Sequence, residues 1–368
     1  MPAVRASLVL AAAACGLAGC GAGPSGPGSP ASSGALASSG SSTSSGLPGA
    51  SLPHGTPIYS AATEVFINDL FADLGSIWAV FNDSASASLI NVATTQPVFT
   101  TSLFGAVPGK DLKPLGVVEA SGKAFYVSRG ALHEVALAGG TDQVIGNPGD
   151  CVLMVADASS VFCTKGGQLL SFPAGSGSPP GDAGPADSAA EPGATPSGTA
   201  VLDMSPTTIG DAFADATTVY VTAGDSGFGK TQVWSAPRSG GTPQVLATAT
   251  GQEMGFFFVA GQADPANVYL VIAGGIARMS KATHAVQDVF HGPAGYGLGS
   301  STFYRNYFYY GTAGTISRVP LSWATAPTGI AAGEVGTESL AVADSGIYWV
   351  DFSRAAKVEV IDQVPLQP

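Results

Sequence analysis

Charge is scarce in this sequence. Lys and Arg number 14 and Asp and Glu 26, so 11% of the 368 residues are charged and the net charge is −12. So few cations argue against a nucleic-acid partner, whose backbone is bound by displacing counterions with Lys and Arg. No apolar run reaches the roughly 20 residues of a spanning helix, which excludes a polytopic membrane protein. Only four histidines and four cysteines are present, too few for a rich metal-binding or nucleophilic apparatus. What is abundant is glycine, at 50, and proline, at 26. With the many β-branched residues they argue against a helical bundle. The hydrophobic fraction of 45% excludes a wholly disordered chain, and the length suffices for one or two domains.

The N-terminal stretch reads as an export signal. Arg5 supplies the positive charge, Ala6 to Ala14 an apolar run, and Leu17-Ala18-Gly19-Cys20 closes it with small residues. This ending resembles the lipobox of bacterial lipoproteins. The resemblance implies that residues 1–19 are removed and that Cys20 is acylated as the mature N-terminus. Gly21 in place of Asp implies sorting to the outer membrane, facing either the periplasm or the outside. Acyl chains would then hold the protein to the membrane, each buried methylene contributing about 0.8 kcal/mol. Residues 20–57 are Gly, Ser, Pro and Ala with almost nothing large, a flexible tether. Cys15 leaves with the signal, so Cys151 and Cys163 remain. Twelve positions apart in an exported chain, they read as a disulfide. No His or third Cys accompanies them as metal ligands.

A repeat runs through the rest. In Leu340-Ala-Val-Ala-Asp344-Ser-Gly-Ile-Tyr348-Trp349-Val-Asp351 an apolar strand ends at Asp, turns through Ser and Gly, and returns as a β-branched and aromatic strand. That is a hairpin signature. A third strand with period-two alternation follows at Lys357-Val-Glu-Val-Ile361. The same order recurs upstream, and its second strands carry Trp78, Tyr126, Phe162, Tyr220, Tyr269, Phe308 and Tyr348. The long gap between Phe162 and Tyr220 holds a low-complexity insert, residues 175–200, read as disordered. Repetition of a four-stranded unit at roughly 40–50 residues marks an all-β fold, the β-propeller of four-stranded antiparallel blades. Seven blades are counted, six or eight remaining open because the first copy is degenerate. The domain is placed at residues 58–368. The Asp of each first turn is expected to cap its own backbone. Because the last unit shows three strands, Pro57-Ile-Tyr-Ser could supply its fourth and seal the ring. Tyr348-Trp349-Val350-Asp351 and Gly240-Gly241-Thr242-Pro243 resemble the motifs of Tyr-Trp-Thr-Asp propellers in lipoprotein receptors and of Gly-Gly-Thr-Pro propeller lipoproteins. Those families imply a binding or interaction scaffold.

Two motifs invite chemistry. Gly224-Asp-Ser-Gly-Phe-Gly229-Lys230-Thr231 fits the phosphate-loop pattern, but a phosphate loop opens a helix. Here an alternating, strand-like Gln-Val-Trp-Ser-Ala-Pro237 follows, so no nucleotide is expected. Gly224-Asp-Ser-Gly227 also matches a serine-protease nucleophile motif, without a recognisable His partner. His54 falls in the tether, His133 in a third strand, and His284 and His291 in a strand and loop. None has metal-ligand spacing, and neither metal nor cofactor is expected. The aromatic runs Phe256–Phe258 and Phe303–Tyr310 are expected to pack between blades.

In a propeller the loops from second to third strands and from fourth strands to the next blade share one face. That face is expected to carry Asn82, Asp83, Arg129, Lys165, Asp225, Lys230, Asp351 and Arg354. The expected function is an envelope-anchored scaffold that binds an unknown protein or glycan there and performs no catalysis. The rival readings are a propeller lyase or hydrolase acting on extracytoplasmic glycan or peptide, and a purely structural envelope protein.

Overall fold

The computed structural model describes residues 52–366 except 63–64, 74, 83–85, 103–116, 129, 150, 176–197, 225–229, 251–256, 259–263, 273–274, 292–299, 313–314, 333–338 and 354–357. The signal, Cys20, most of the tether and most of the 175–200 insert lie outside the described residues.

Every regular element among the described residues is a strand, and the strands form seven four-stranded antiparallel sheets. The chain begins with β1 (Thr56–Ser60). Blade 1 is β2 (Phe66–Asp73), β3 (Ser76–Asn82), β4 (Ser86–Asn91) and β5 (Gln96–Ser102). Blade 2 is β6 (Val117–Ala120), β7 (Lys123–Ser128), β8 (Ala131–Ala136) and β9 (Gln143–Gly146). Blade 3 is β10 (Val152–Ala156), β11 (Ser160–Lys165), β12 (Gln168–Pro173) and β13 (Thr199–Asp203). Blade 4 is β14 (Thr208–Ala214), β15 (Thr218–Gly224), β16 (Lys230–Pro237) and β17 (Gln244–Thr250). Blade 5 is β18 (Phe257–Phe258), β19 (Asn267–Ile272), β20 (Gly275–Ser280) and β21 (Val286–His291). Blade 6 is β22 (Ser301–Tyr304), β23 (Tyr307–Thr312), β24 (Thr315–Pro320) and β25 (Thr328–Ala332). Blade 7 is β26 (Leu340–Ala343), β27 (Gly346–Ser353), β28 (Val358–Val364) and, on the outside, β1.

This is a seven-bladed β-propeller, as the repeat predicts. Each blade alone is a thin twisted sheet with two apolar faces. The core is therefore divided among the blade junctions, one apolar cluster at each. Between blades 1 and 2, for example, Phe71, Trp78 and Leu89 meet Val117, Tyr126, Val135 and Leu137. All seven second-strand aromatics lie on second strands and are buried. Of the aromatic runs, Phe303, Phe308, Tyr309 and Tyr310 are buried between blades, as expected. The side chains of Phe256–Phe258 lie outside the described ones.

The ring closes through its N-terminus. β1 pairs antiparallel with β28, Thr56 opposite Gln363 and Ser60 opposite Val360. Closure starts before β1, inside the segment read as tether. The Pro53 carbonyl accepts the Ala332 N–H at 3.0 Å, and His54 bridges Ala332 in parallel. Gly55 is pressed so tightly on blade 7 that a Cβ there would stand 2.5 Å from the Trp349 ring. At the other end of the insert, β13 already begins at Thr199.

Candidate functional site

Strand directions alternate within every blade, so second-to-third turns and fourth-to-first connections gather at one end of the sheets. Four of the eight candidates are described, and they lie toward that end. Asn82 closes β3, Lys165 closes β11, Lys230 opens β16, and Asp351 lies near the end of β27. Asp83, Arg129, Asp225 and Arg354 lie outside the described residues, as does the Lys230 side chain.

Burial divides the remaining three. Asn82 is 8% exposed and Asp351 1%, so both side chains serve the blades and are not offered to a ligand. Asp351 is screened from solvent because both faces of β27 are packed there, Trp349 and Val350 being fully buried on either side. Lys165 is exposed. Its Nζ donates to the Pro148 carbonyl at 3.1 Å and so ties β11 to the connection between blades 2 and 3.

That connection is pinned at three points. Gly149 donates its N–H to the Gly130 carbonyl at 2.9 Å. Gly149 adopts φ +71°, and a Cβ there would stand 3.2 Å from Lys165 Nζ, so the turn requires glycine. The third point is covalent: Cys151, just before β10, is joined by a disulfide to Cys163 in β11, with Cα atoms 5.8 Å apart. Cys163 is fully buried. Two apolar side chains also emerge at this end, at the start of innermost strands: Phe66, 59% exposed, and Val152, 46% exposed. The blade 3 sector thus presents a cation and an apolar residue on a backbone with little freedom to rearrange.

The phosphate-loop pattern ends differently from its nucleotide-binding form. Lys230 and Thr231 begin β16, which pairs with β15 and β17, so no helix N-terminus stands behind the loop. Among the described residues no group of three or more His, Cys, Asp and Glu is arranged to hold a metal ion.

One cluster escaped the sequence reading. The His133 ring stacks on Tyr126 at 4.7 Å, and Tyr126 stacks on Phe99 of blade 1 at 4.1 Å. Asp142 accepts hydrogen bonds from the Tyr126 hydroxyl at 2.7 Å and from His133 Nδ1 at 3.0 Å. Burial alone would raise the Asp142 carboxyl, but these donors outweigh it and hold it below the usual carboxylate range. The same burial pushes the Tyr126 phenol up. The cluster sits at the third-to-fourth turn of blade 2, the opposite end from the candidate face.

No protein-family model and no curated protein sequence significantly matches the chain. Solved structures do resemble it in fold. The extracellular domain of a one-component system from B. thetaiotaomicron superposes with TM-score 0.53 and 11% identity, over 84% of this chain and 40% of that one. The AfRom2 CNH domain gives TM-score 0.51 and 9% identity, over 86% of this chain and all of that domain, 100%. A prolyl endopeptidase gives TM-score 0.51 and 13% identity, over 85% and 51%. The chain therefore spans only two fifths of the first and about half of the last. At such identities the likeness is one of fold alone.

Proposed function

We propose that the protein is an envelope lipoprotein, anchored through Cys20, that binds an extracytoplasmic protein or glycan on the second-to-third-strand face of its propeller and catalyses nothing itself. One observation carries the reading: the connection into blade 3, held by the disulfide, by Lys165 on Pro148 and by Gly149 on Gly130. Surface loops fixed this firmly on a rigid scaffold suit recognition, because little ordering entropy remains to be lost on binding. The signal, the tether and the use of a disulfide support a location outside the cytoplasm. A bacterial extracellular domain and a prolyl endopeptidase share this fold, so the fold by itself is compatible with the enzymatic rival as well.

A single experiment tests anchor and face together. Wild type, Cys20→Ser and Lys165→Glu are expressed in native envelopes, fractionated, crosslinked and recovered. The Cys20→Ser form is expected in the soluble fraction. The Lys165→Glu form is expected to stay with membranes and to lose at least about 10-fold in crosslinked partner, as for a charge reversal at a binding centre. Turnover of a glycan or peptide substrate that Lys165→Glu abolishes would establish the enzymatic reading instead.

A further inference from the structure

The junction where the ring closes is tight near the axis. Ser339 Oγ donates to Asp69 Oδ1 at 2.8 Å and accepts the Leu70 N–H at 2.9 Å, joining the innermost strands of blades 7 and 1. The Glu359 carboxylate accepts the Ile67 N–H, and the Glu359 carbonyl accepts the Ala61 N–H at 2.9 Å. Further out the two blades part, and a groove of about 250 Å³ opens between β1 and the outer strands of blade 1. Tyr59 forms the β1 side, its ring tilted against that of the buried Phe81 of β3 with centroids 5.0 Å apart. Ser86, Ser88, Ile90 and Thr100 line the other. None of the described lining residues is charged.

The reason for the groove lies in the repeat. By strand register, Ser88 of blade 1 occupies the place of Gln168 in blade 3 and Gln232 in blade 4. Each of those glutamines spans to the fourth strand, Gln168 reaching Asp203 at 2.9 Å and Gln232 reaching Thr248 at 3.2 Å. Ser88 is too short to fill that space and meets Thr100 hydroxyl to hydroxyl at 2.9 Å. Two hydroxyls that bond each other use one proton and one lone pair, leaving a donor and further acceptors for a ligand.

We infer that this groove binds one pyranose unit of a neutral saccharide. The Tyr59 ring matches the apolar face of a sugar ring, paired side-chain hydroxyls match vicinal sugar hydroxyls, and the described lining residues carry no charge to pair with an ionic ligand. The volume lies just below the roughly 300 Å³ at which drug-sized pockets begin, room for a ring and not for a long chain. Because the sugar would touch both β1 and blade 1, it would also stabilise closure of the ring, by mass action on the closed state. The groove lies at the same second-to-third-strand end as Lys165, but at the junction of blades 7 and 1 and not in the blade 3 sector.

The test titrates the full mature chain with D-glucose, D-galactose, N-acetylglucosamine, benzyl alcohol and sodium glucuronate, reading amide shifts by NMR and the thermal midpoint. At least one neutral sugar is expected to bind with a Kd on the order of 1 mM, moving the amides of residues 86–100 and Tyr59 and raising the midpoint. The substitution Ser88→Gln installs what blades 3 and 4 already carry, so the fold should accept it. It is expected to weaken that sugar at least 10-fold. Absence of saturable sugar binding would overturn the inference. So would a sugar affinity indifferent to Ser88→Gln, or benzyl alcohol or glucuronate occupying the groove while neutral sugars do not.

Discussion

Arg238 reaches across a blade junction. It follows the third strand of blade 4, pairs with Asp157 of blade 3, and holds its guanidinium 5.1 Å over the Phe162 ring. Lys281 of blade 5 does the same to blade 4, its Nζ 2.9 Å from Asp215 and 5.8 Å over Tyr220. The repeat builds both. In blades 2, 4, 5 and 6 the residue after the third strand donates its N–H to the first turn of its own blade: Leu137, Arg238, Lys281 and Leu321. Its side chain is thereby aimed at the preceding blade, where leucine packs and a cation pairs. The aspartates also cap their own turns, Asp157 accepting the N–H groups of Ser159 and Ser160 at 2.8 and 3.0 Å. Burial alone would raise the Asp157 carboxyl, but Arg238 and Ser159 outweigh it and hold it below its usual range. A carboxyl so lowered stabilises the fold above its unfolded pKa of about 3.9, and that stability is lost as pH falls through the lower folded value. Arg238→Ala should cost about 2 kcal/mol at pH 7, since it strands a half-buried carboxylate. Near pH 3 it should cost clearly less. Urea midpoints at the two pH values check this, and an equal loss at both would show that Arg238 acts by packing alone.

At the scale of elements, most first-to-third strands were legible because their hairpins are local: alternation, a polar turn and an aromatic return lie within about fifteen residues. The fourth strands were harder to read. β13 stands behind a long insert, and among the first strands β18, with two residues, was as hard to read. The Asp turns were read as caps, and Asp157, Asp215 and Asp264 are caps. Their second role is long-range: Asp73 instead accepts the Gly122 N–H of blade 2 at 2.8 Å, and Asp344 takes Tyr304 and Arg305 of blade 6. Nothing in a local pattern announces a partner 40 to 80 residues away. For the same reason His133 was read without Asp142, and Asn82 and Asp351 were assigned to a face whose loops they only approach. The disulfide was legible because the reading of an exported chain left two cysteines, and on that reading they pair. It spans the hairpin of β10 and β11, so it closes a short loop, and the chain-entropy estimate gives at most about 3 kcal/mol. Cys151→Ala with Cys163→Val, which keeps an apolar group at the buried position, should lower stability by about 2 kcal/mol under oxidising conditions. Under strong reduction the gap to wild type should nearly vanish. Denaturant midpoints with and without reductant measure both, and a gap that survives reduction would mean that packing around Cys163 matters more than the bond.

For the whole molecule the question is what makes seven sheets one body. Each junction buries apolar surface on both sides, so every blade depends on two neighbours, and a gap anywhere exposes two faces. The chain closes that gap by splitting blade 7 between its ends: β26, β27 and β28 come from the C-terminal side and β1 from the N-terminal side. This arrangement is a consequence of topology and not of any sequence special to blade 7. Thr56 lies opposite Gln363, so the ends to be joined are already adjacent. A permuted chain tests the point. Joining residue 366 to residue 52 through a short Gly-Ser linker makes blade 7 continuous. New termini placed within 176–197, between β12 and β13, make blade 3 the split blade. Blade 3 would then be closed by the pairing of Leu169 with Leu202 and Ser171 with Thr199. The permuted protein should fold with one cooperative transition and a thermal midpoint within about 2 °C of wild type, a change of about 1 kcal/mol or less. Deleting residues 52–60 without permutation should instead expose the flank of β28 and broaden the transition. If the permuted chain unfolds in two steps while the deletion does not, closure depends on β1 itself, and the equivalence of the blades fails.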